Sequence, residues 1–175
     1  IRIIVIYMIQ RIQSIFLLLV TISLFSTYFF PLSEKIVYKN ENNITTIKEK
    51  ETLYIYELVY QQYISEEDPS AILHPRPYIL ILIFIAGGLS FYSIFQYRNR
   101  INQIKIGAIN SIIMSITISI ILYELFYNEV MIKNTFDINI LISFYLIFTA
   151  LIFNSIANRF IKKDELLVNE SDRIR

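Results

Sequence analysis

Apolar positions gather into four long runs, Ile12 to Phe30, Tyr78 to Tyr97, Ile106 to Tyr127 and Ile138 to Asn158, and polar residues collect between them. Each run approaches the roughly 20 residues that a helix of about 1.5 Å rise per residue needs to cross the hydrocarbon core. The pattern predicts an all-α membrane protein: one membrane domain over residues 1–175, built as an antiparallel bundle of four transmembrane helices. A small extracytoplasmic loop or cap, residues 33–76, would join the first two helices. A charged C-terminal helix, residues 159–175, would prolong the fourth.

Local signals punctuate the runs. Pro31 ends the first, because proline cannot continue a helix interior. Pro75 and Pro77 open the second. Asp137 stands where an N-cap of the fourth helix belongs. Tyr78, Tyr97, Tyr123 and Tyr127 fall near the membrane surfaces, as an aromatic belt does. The two short connections, 98–105 and 128–137, make consecutive helices neighbours.

Between Ser33 and Arg76 the period changes. KIVYKNENNITTIK reads as two short β-prone runs around an Asn-rich turn. In ETLYIYELVYQQYI the alternation of Leu53, Ile55 and Glu57 with Tyr54, Tyr56 and Leu58 suits a strand. Leu53, Tyr56, Tyr60 and Tyr63 equally suit an interfacial helix. The segment predicts a small cap of mixed structure. Asn43-Ile44-Thr45 matches a glycosylation sequon, read as a chance match.

Polar residues inside the spans are few. Ser111, Ser115 and Ser119 repeat every four residues beside Asn110, and Gly87 with Gly88 dents the second span. Such small-residue positions let helices approach closely in lipid, so they read as helix-packing positions. Asn154, Ser155 and Asn158 add amide and hydroxyl groups to the fourth span. Glu124 is the only ionisable residue in a span, near its outer end, so no proton relay or protease dyad is expected.

Composition narrows the chemistry further. The hydrophobic fraction is 55% and the mean hydropathy +0.51, above an ordinary globular chain, and the formal net charge of +1 offers nucleic acid no field. With no cysteine, thiolate metal sites, disulfides and lipidated-cysteine anchors are excluded. His74, with Glu66, Glu67 and Asp68, makes a poor metal set. Three glycines cannot build a phosphate-cradling loop. The expectation is a protein that is not an enzyme, with no catalytic residue, cofactor or metal.

Charge sets the orientation. With the N-terminus cytoplasmic, ten of the 16 Lys and Arg lie inside, including the acid-free 98–105 turn. Lys35, Lys39, Lys48, Lys50, Arg76 and Lys133 lie outside. Both termini are then cytoplasmic.

Three stretches carry a resemblance: Met8-Ile-Gln-Arg-Ile-Gln-Ser14, Tyr97-Arg-Asn-Arg-Ile-Asn-Gln-Ile-Lys105 with Asn110, and Arg159-Phe-Ile-Lys-Lys-Asp-Glu-Leu-Leu-Val168 with Ser171-Asp-Arg-Ile-Arg175. Over Met8 to Arg175 the chain resembles the DUF4293 family of small four-helix membrane proteins of Bacteroidota. The resemblance implies an inner-membrane location, assigns no activity, and favours Met8 as the start, with Ile1 to Tyr7 as upstream read-through. On the expected topology all three stretches meet at the cytoplasmic face. They would form one interaction cluster there: Arg11 and Gln13 from the first, Arg98, Asn99, Arg100 and Lys105 from the second, and Arg159, Lys162, Lys163, Asp164, Glu165, Asp172 and Arg173 from the third. Asp164, Glu165 or Asp172 would pair with Arg11, Arg98 or Arg100. The leading expectation for function is a non-enzymatic accessory, scaffold or assembly subunit of a membrane complex. It would contact the lipid bilayer and a membrane-protein partner or further copies of itself. A small transporter or channel subunit and a lipid- or ligand-sensing protein are the alternatives.

Overall fold

Lipid forces a backbone to satisfy its own hydrogen bonds, and within the spans this chain does so by helix. The computed structural model describes residues 2–41, 44–63, 70–97, 99–126 and 136–173. In chain order the elements are α1 (Arg2–Ser26), a 3-10 turn (Thr27–Phe29), β1 (Ser33–Glu41), β2 (Ile44–Leu53), β3 (Glu57–Gln62), β4 (Ser70–Pro75), α2 (Pro77–Phe95), α3 (Arg100–Phe126), β5 (Phe136–Ile140) and α4 (Ile142–Arg173). α1 packs against α2 and α4, and α3 packs against the same two helices. All four are long and apolar enough to cross a membrane, and only 28–33% of each span is buried within the chain. Their outward faces are therefore largely apolar. Ile15, Ile22, Ile81, Ile112 and Phe148 all stand exposed. This is the surface of a multi-pass membrane protein, since water would not tolerate so much contiguous apolar area.

An all-α fold does not describe the molecule. Five strands form one antiparallel sheet in the order β4-β3-β2-β1-β5. The β-prone runs of the first connection do pair as a hairpin, Ser33 opposite Leu53 through to Glu41 opposite Ile44, with a register shift at Val37/Tyr38. The ambiguous stretch is strand: β2 closes at Leu53, and β3 lies beside it with Glu51 opposite Tyr60. Outside the lipid a short chain gains more from a shared ladder than from an isolated helix, which is marginal at that length. β4 completes this side, pairing Tyr60 with Ile72.

The fifth strand comes from an unexpected place. Phe136–Ile140 pairs along β1, with Asp137 opposite Ile36. Asp137 is thus a strand residue and caps no helix. α4 starts at Ile142, where the Ser143 hydroxyl donates to the carbonyl of Phe30 at 2.7 Å. In FDINI, β-branched Ile138 and Ile140 alternate with polar partners, so strand and helix start read alike until β1 is available as a template. The sheet is therefore not a cap on one connection. It joins the connections on both sides of the bundle.

A polar row crosses the sheet. Lys35 faces Glu51 across β1 and β2, and Glu51 faces Tyr60 across β2 and β3. Burial pushes the Tyr60 phenol up to about 12, helped by its hydrogen bond to Glu49 and the nearby charge of Glu51. The folded protein therefore holds this proton above the ordinary tyrosine value of about 10, where the unfolded chain has released it. That contribution is complete below pH 10 and fades as pH rises towards 12. Alkaline titration followed by circular dichroism should show stability falling across this window, and Tyr60→Phe should flatten the fall. A variant with the parent's alkaline slope would refute the assignment.

The buried interior divides along the bundle axis. On the sheet side it is apolar: Leu24, Leu32, Leu53, Ile55, Ile79, Ile83, Met114, Ile121 and Ile147 form one continuous core from helices into sheet. On the side of the α2–α3 turn polar side chains enter it: Gln13, Gln103, Asn110, Asn154 and Asp164 are buried there beside Leu17, Ala157 and Ile161.

Candidate functional site

The polar half is built by helix spacing. On α3 the buried positions are Gln103, Gly107, Asn110, Met114, Thr117, Ile121 and Leu125, one stripe at intervals of three and four. Its first three members are polar or small and the rest mainly apolar, which produces the axial division. On α4, Asn154, Ala157, Ile161 and Asp164 form the facing stripe. α1 supplies Gln13 and α2 supplies Ser93, both buried.

Contacts fix the registers. Asn154 donates from Nδ2 to the Gly107 carbonyl and to Ser111 Oγ, each at 2.8 Å. Gly107 lies directly against Asn158; a Cβ there would come within 2.6 Å of Asn158 Cγ. Only glycine permits this approach without displacing the amide. Two turns further along, Arg100 Nε donates to Asp164 Oδ2 at 2.6 Å, and the Asp164 side chain has no solvent exposure. The pairs 111/154, 107/158 and 100/164 descend α3 as they ascend α4, first by one turn and then by about two, as antiparallel helices require. Gln103 Nε2 donates to the Ser93 carbonyl at 3.0 Å, tying α3 to α2. Ser90 Oγ donates to the Leu17 carbonyl at 3.0 Å, tying α2 to α1 one turn above Gln13. Phe16 lies against Phe153 and Phe160 of α4.

The sequence-predicted cluster is thus partly gathered. Arg100 and Asp164 meet in an ion pair, and Gln13 is buried. Asn99 Oδ1 accepts from the Asn102 backbone N–H at 3.2 Å, which caps the start of α3. The connection read as spanning 98–105 is shorter than expected, because Arg100, Gln103 and Lys105 already lie in α3. Lys105, Arg159, Lys162 and Lys163 are exposed around the rim, and Glu165 is half-buried beside them on α4. Arg11 stands on α1 two residues before Gln13, and Asp172 and Arg173 occupy the last turn of α4. Arg98 lies outside the described residues, as do Glu66, Glu67, Asp68, Tyr127 and Asn43. Among the described residues no group of three or more His, Cys, Asp or Glu could hold a metal ion.

The small-residue positions separate. Gly87 packs against the Phe25 ring, so it does shape the α1–α2 contact. Ser111 joins α4 through Asn154. Ser115 and Ser119 are exposed and donate to the carbonyls of Ser111 and Ser115 in their own helix. Gly88 is exposed, with open space where a Cβ would go.

A second polar group sits at the sheet end, and sequence reading missed it. Glu124, near the end of α3, accepts from Arg76 Nη1 at 3.1 Å and from the Tyr78 hydroxyl. Lys35 of β1 donates to the Glu124 backbone carbonyl at 2.9 Å and lies 3.8 Å from Glu51. Burial lowers the Lys35 pKa, while the charges of Glu51 and Glu124 oppose that shift. Arg76 and Tyr78 flank Pro77 at the start of α2, at the same membrane level as Glu124. That shared level was the available signal, and Lys35 carried none. The clasp joins sheet, α2 and α3.

The arrangement offers no nucleophile–base pair and no carboxylate dyad among the described residues. Its chemistry is interhelical hydrogen bonding and ion pairing. No curated protein matches the chain. A family model described as a domain of unknown function, DUF4293, matches residues 9–174. That match runs through all four helices, all five strands and both polar groups, so this chain, sheet included, belongs to the DUF4293 family.

Proposed function

We propose that the protein is a non-enzymatic accessory or assembly subunit of the bacterial inner membrane, with both termini cytoplasmic. The observation that carries this reading is a two-helix prong at the polar end. α4 runs 32 residues, about 48 Å against a hydrocarbon core of about 30 Å. Beyond Asp164, which is level with the α2–α3 turn, it continues to Arg173 for about 14 Å. α1 likewise runs back from Gln13 beyond Met8. α2 ends at Phe95 and α3 starts at Arg100, level with Asp164, so neither helix runs alongside this extension, and Leu166 on it is 55% exposed. A prong that projects past its own bundle is suited to docking.

Orientation follows from charge. Exposed Lys105, Arg159, Lys162 and Lys163 ring the prong's base, at the headgroup level favoured by cytoplasmic cations. The sheet at the other end, with Glu34, Glu49, Glu51 and Glu57, is the extracytoplasmic part. Mild-detergent affinity purification of the full chain should recover a stoichiometric membrane-protein partner. Leu166→Glu combined with Lys163→Glu should abolish recovery without changing yield or melting temperature, because both side chains are exposed. Undiminished recovery would remove the prong as the docking surface.

A further inference from the structure

We propose that the polar half of the bundle holds a file of water, entering beside Arg100–Asp164 and ending below Met114 near mid-membrane. Nine buried side-chain atoms of this half have no hydrogen-bond partner among the described residues. Both amide atoms of Gln13 and both of Asn110 are among them, with Ser93 Oγ and one oxygen each of Gln103, Asn154, Asn158 and Asp164. Gln13, Gln103, Asn154 and Asp164 have no exposure, and Asn110 has 1%. Each orphaned group in a dry interior keeps its full desolvation penalty with no bond to offset it. Nine together would exceed the net stability of most domains. Four helices would not converge on such a layer unless something met these groups.

The register of the contacts orders the orphans along the bundle axis, beside the buried Leu17, Ala157 and Ile161. Asp164 lies at the level of Arg100; Gln13, Ser93 and Gln103 follow; then Gly107 with Asn158; then Asn110 with Asn154. From Arg100 to Asn110 the rise along α3 is about 15 Å, half of the hydrocarbon core. One turn further, Met114 is 1% exposed, and Leu24, Ile83 and Ile147 close the same level. The polar path therefore stops there.

The atoms also select the occupant. Six are acceptor oxygens of amides or a carboxylate; only two amide nitrogens and one hydroxyl donate. An anion finds too few donors. A cation must pass the basic rim and compete with Arg100 for Asp164. A small neutral donor fits, and buried water typically makes about three hydrogen bonds to groups of this kind.

The test is water-edited NMR on the intact protein in lipid nanodiscs. Magnetisation should pass from water to the carboxamide protons of both Gln13 and Asn110 about as fast as to the amide of exposed Lys162. Transfer to the Ile121 and Ile147 methyls should be several-fold slower. Replacing potassium and sodium by N-methylglucamine should leave the pattern unchanged. Absence of transfer at Asn110 overturns the file, even if Gln13 shows it. A pattern that collapses when the small cations are removed overturns water as the occupant.

Discussion

Arg100→Leu is expected to destabilise the folded protein by about 3–5 kcal/mol, the range for stripping one partner from a buried ion pair. The reason is asymmetry. Asp164 has no exposure and holds Arg100 at 2.6 Å, whereas the Arg100 side chain retains 17% exposure. Without its partner the carboxylate is an uncompensated charge surrounded by helices. Asp164→Leu should cost less, because the long guanidinium stem can carry its charge to the headgroup water. Arg100→Leu with Asp164→Leu should recover most of the loss, since an apolar pair removes both charges. Thermal unfolding in detergent micelles reads all three variants. If Arg100→Leu melted with the parent, or if the double variant melted no higher than Arg100→Leu, the buried pair would not be what holds α3 to α4 at this level.

Glu124→Leu should detach the sheet from the bundle before the bundle itself melts. Glu124 is the shared acceptor for Arg76 and Tyr78, and its backbone carbonyl receives Lys35. Its removal leaves Arg76, whose Nε has no hydrogen-bond partner among the described residues, without the carboxylate it pairs with. The expected loss is about 1–3 kcal/mol, less than at Arg100 because Arg76 is 30% exposed. Hydrogen exchange should rise in β1 and β3, whose amides depend on the sheet's attachment, and hardly change in the middle of α1. Glu124→Gln keeps an acceptor and should fall between. Equal exchange in β1 for parent and Glu124→Leu would show that the sheet is held by its apolar base alone, through Leu32, Leu53, Ile55 and Leu58.

Several features were legible from local patterning. The hairpin of β1 and β2 announced itself through β-branched residues around an Asn-rich turn. Pro77 marks the first residue of α2, as its missing N–H predicts. Of the thirteen residues expected to cluster from three separate stretches, Arg100 and Asp164 form an ion pair. Other features were not legible, each for a physical reason. β5 resembles the start of a helix because Ile serves either state; pairing to β1 decides it. The serine stripe on α3 looks like an interface, yet a four-residue repeat drifts around a 3.6-residue helix, so Ser111 meets α4 while Ser115 and Ser119 turn outward. Ser93 and Lys35 have no local signal at all.

The sequence by itself determined the four helices and their polar ends, because hydrophobic length and charge act on each segment independently of its neighbours. Which polar groups face inward, and that they form one half of a bundle sealed by Met114, was decided only by the tertiary structure. Helix rotation and register depend on packing between segments far apart in the chain. The same holds for the sheet: β5 becomes a strand because β1 presents an unpaired edge beside it, and a chain read residue by residue contains no such edge.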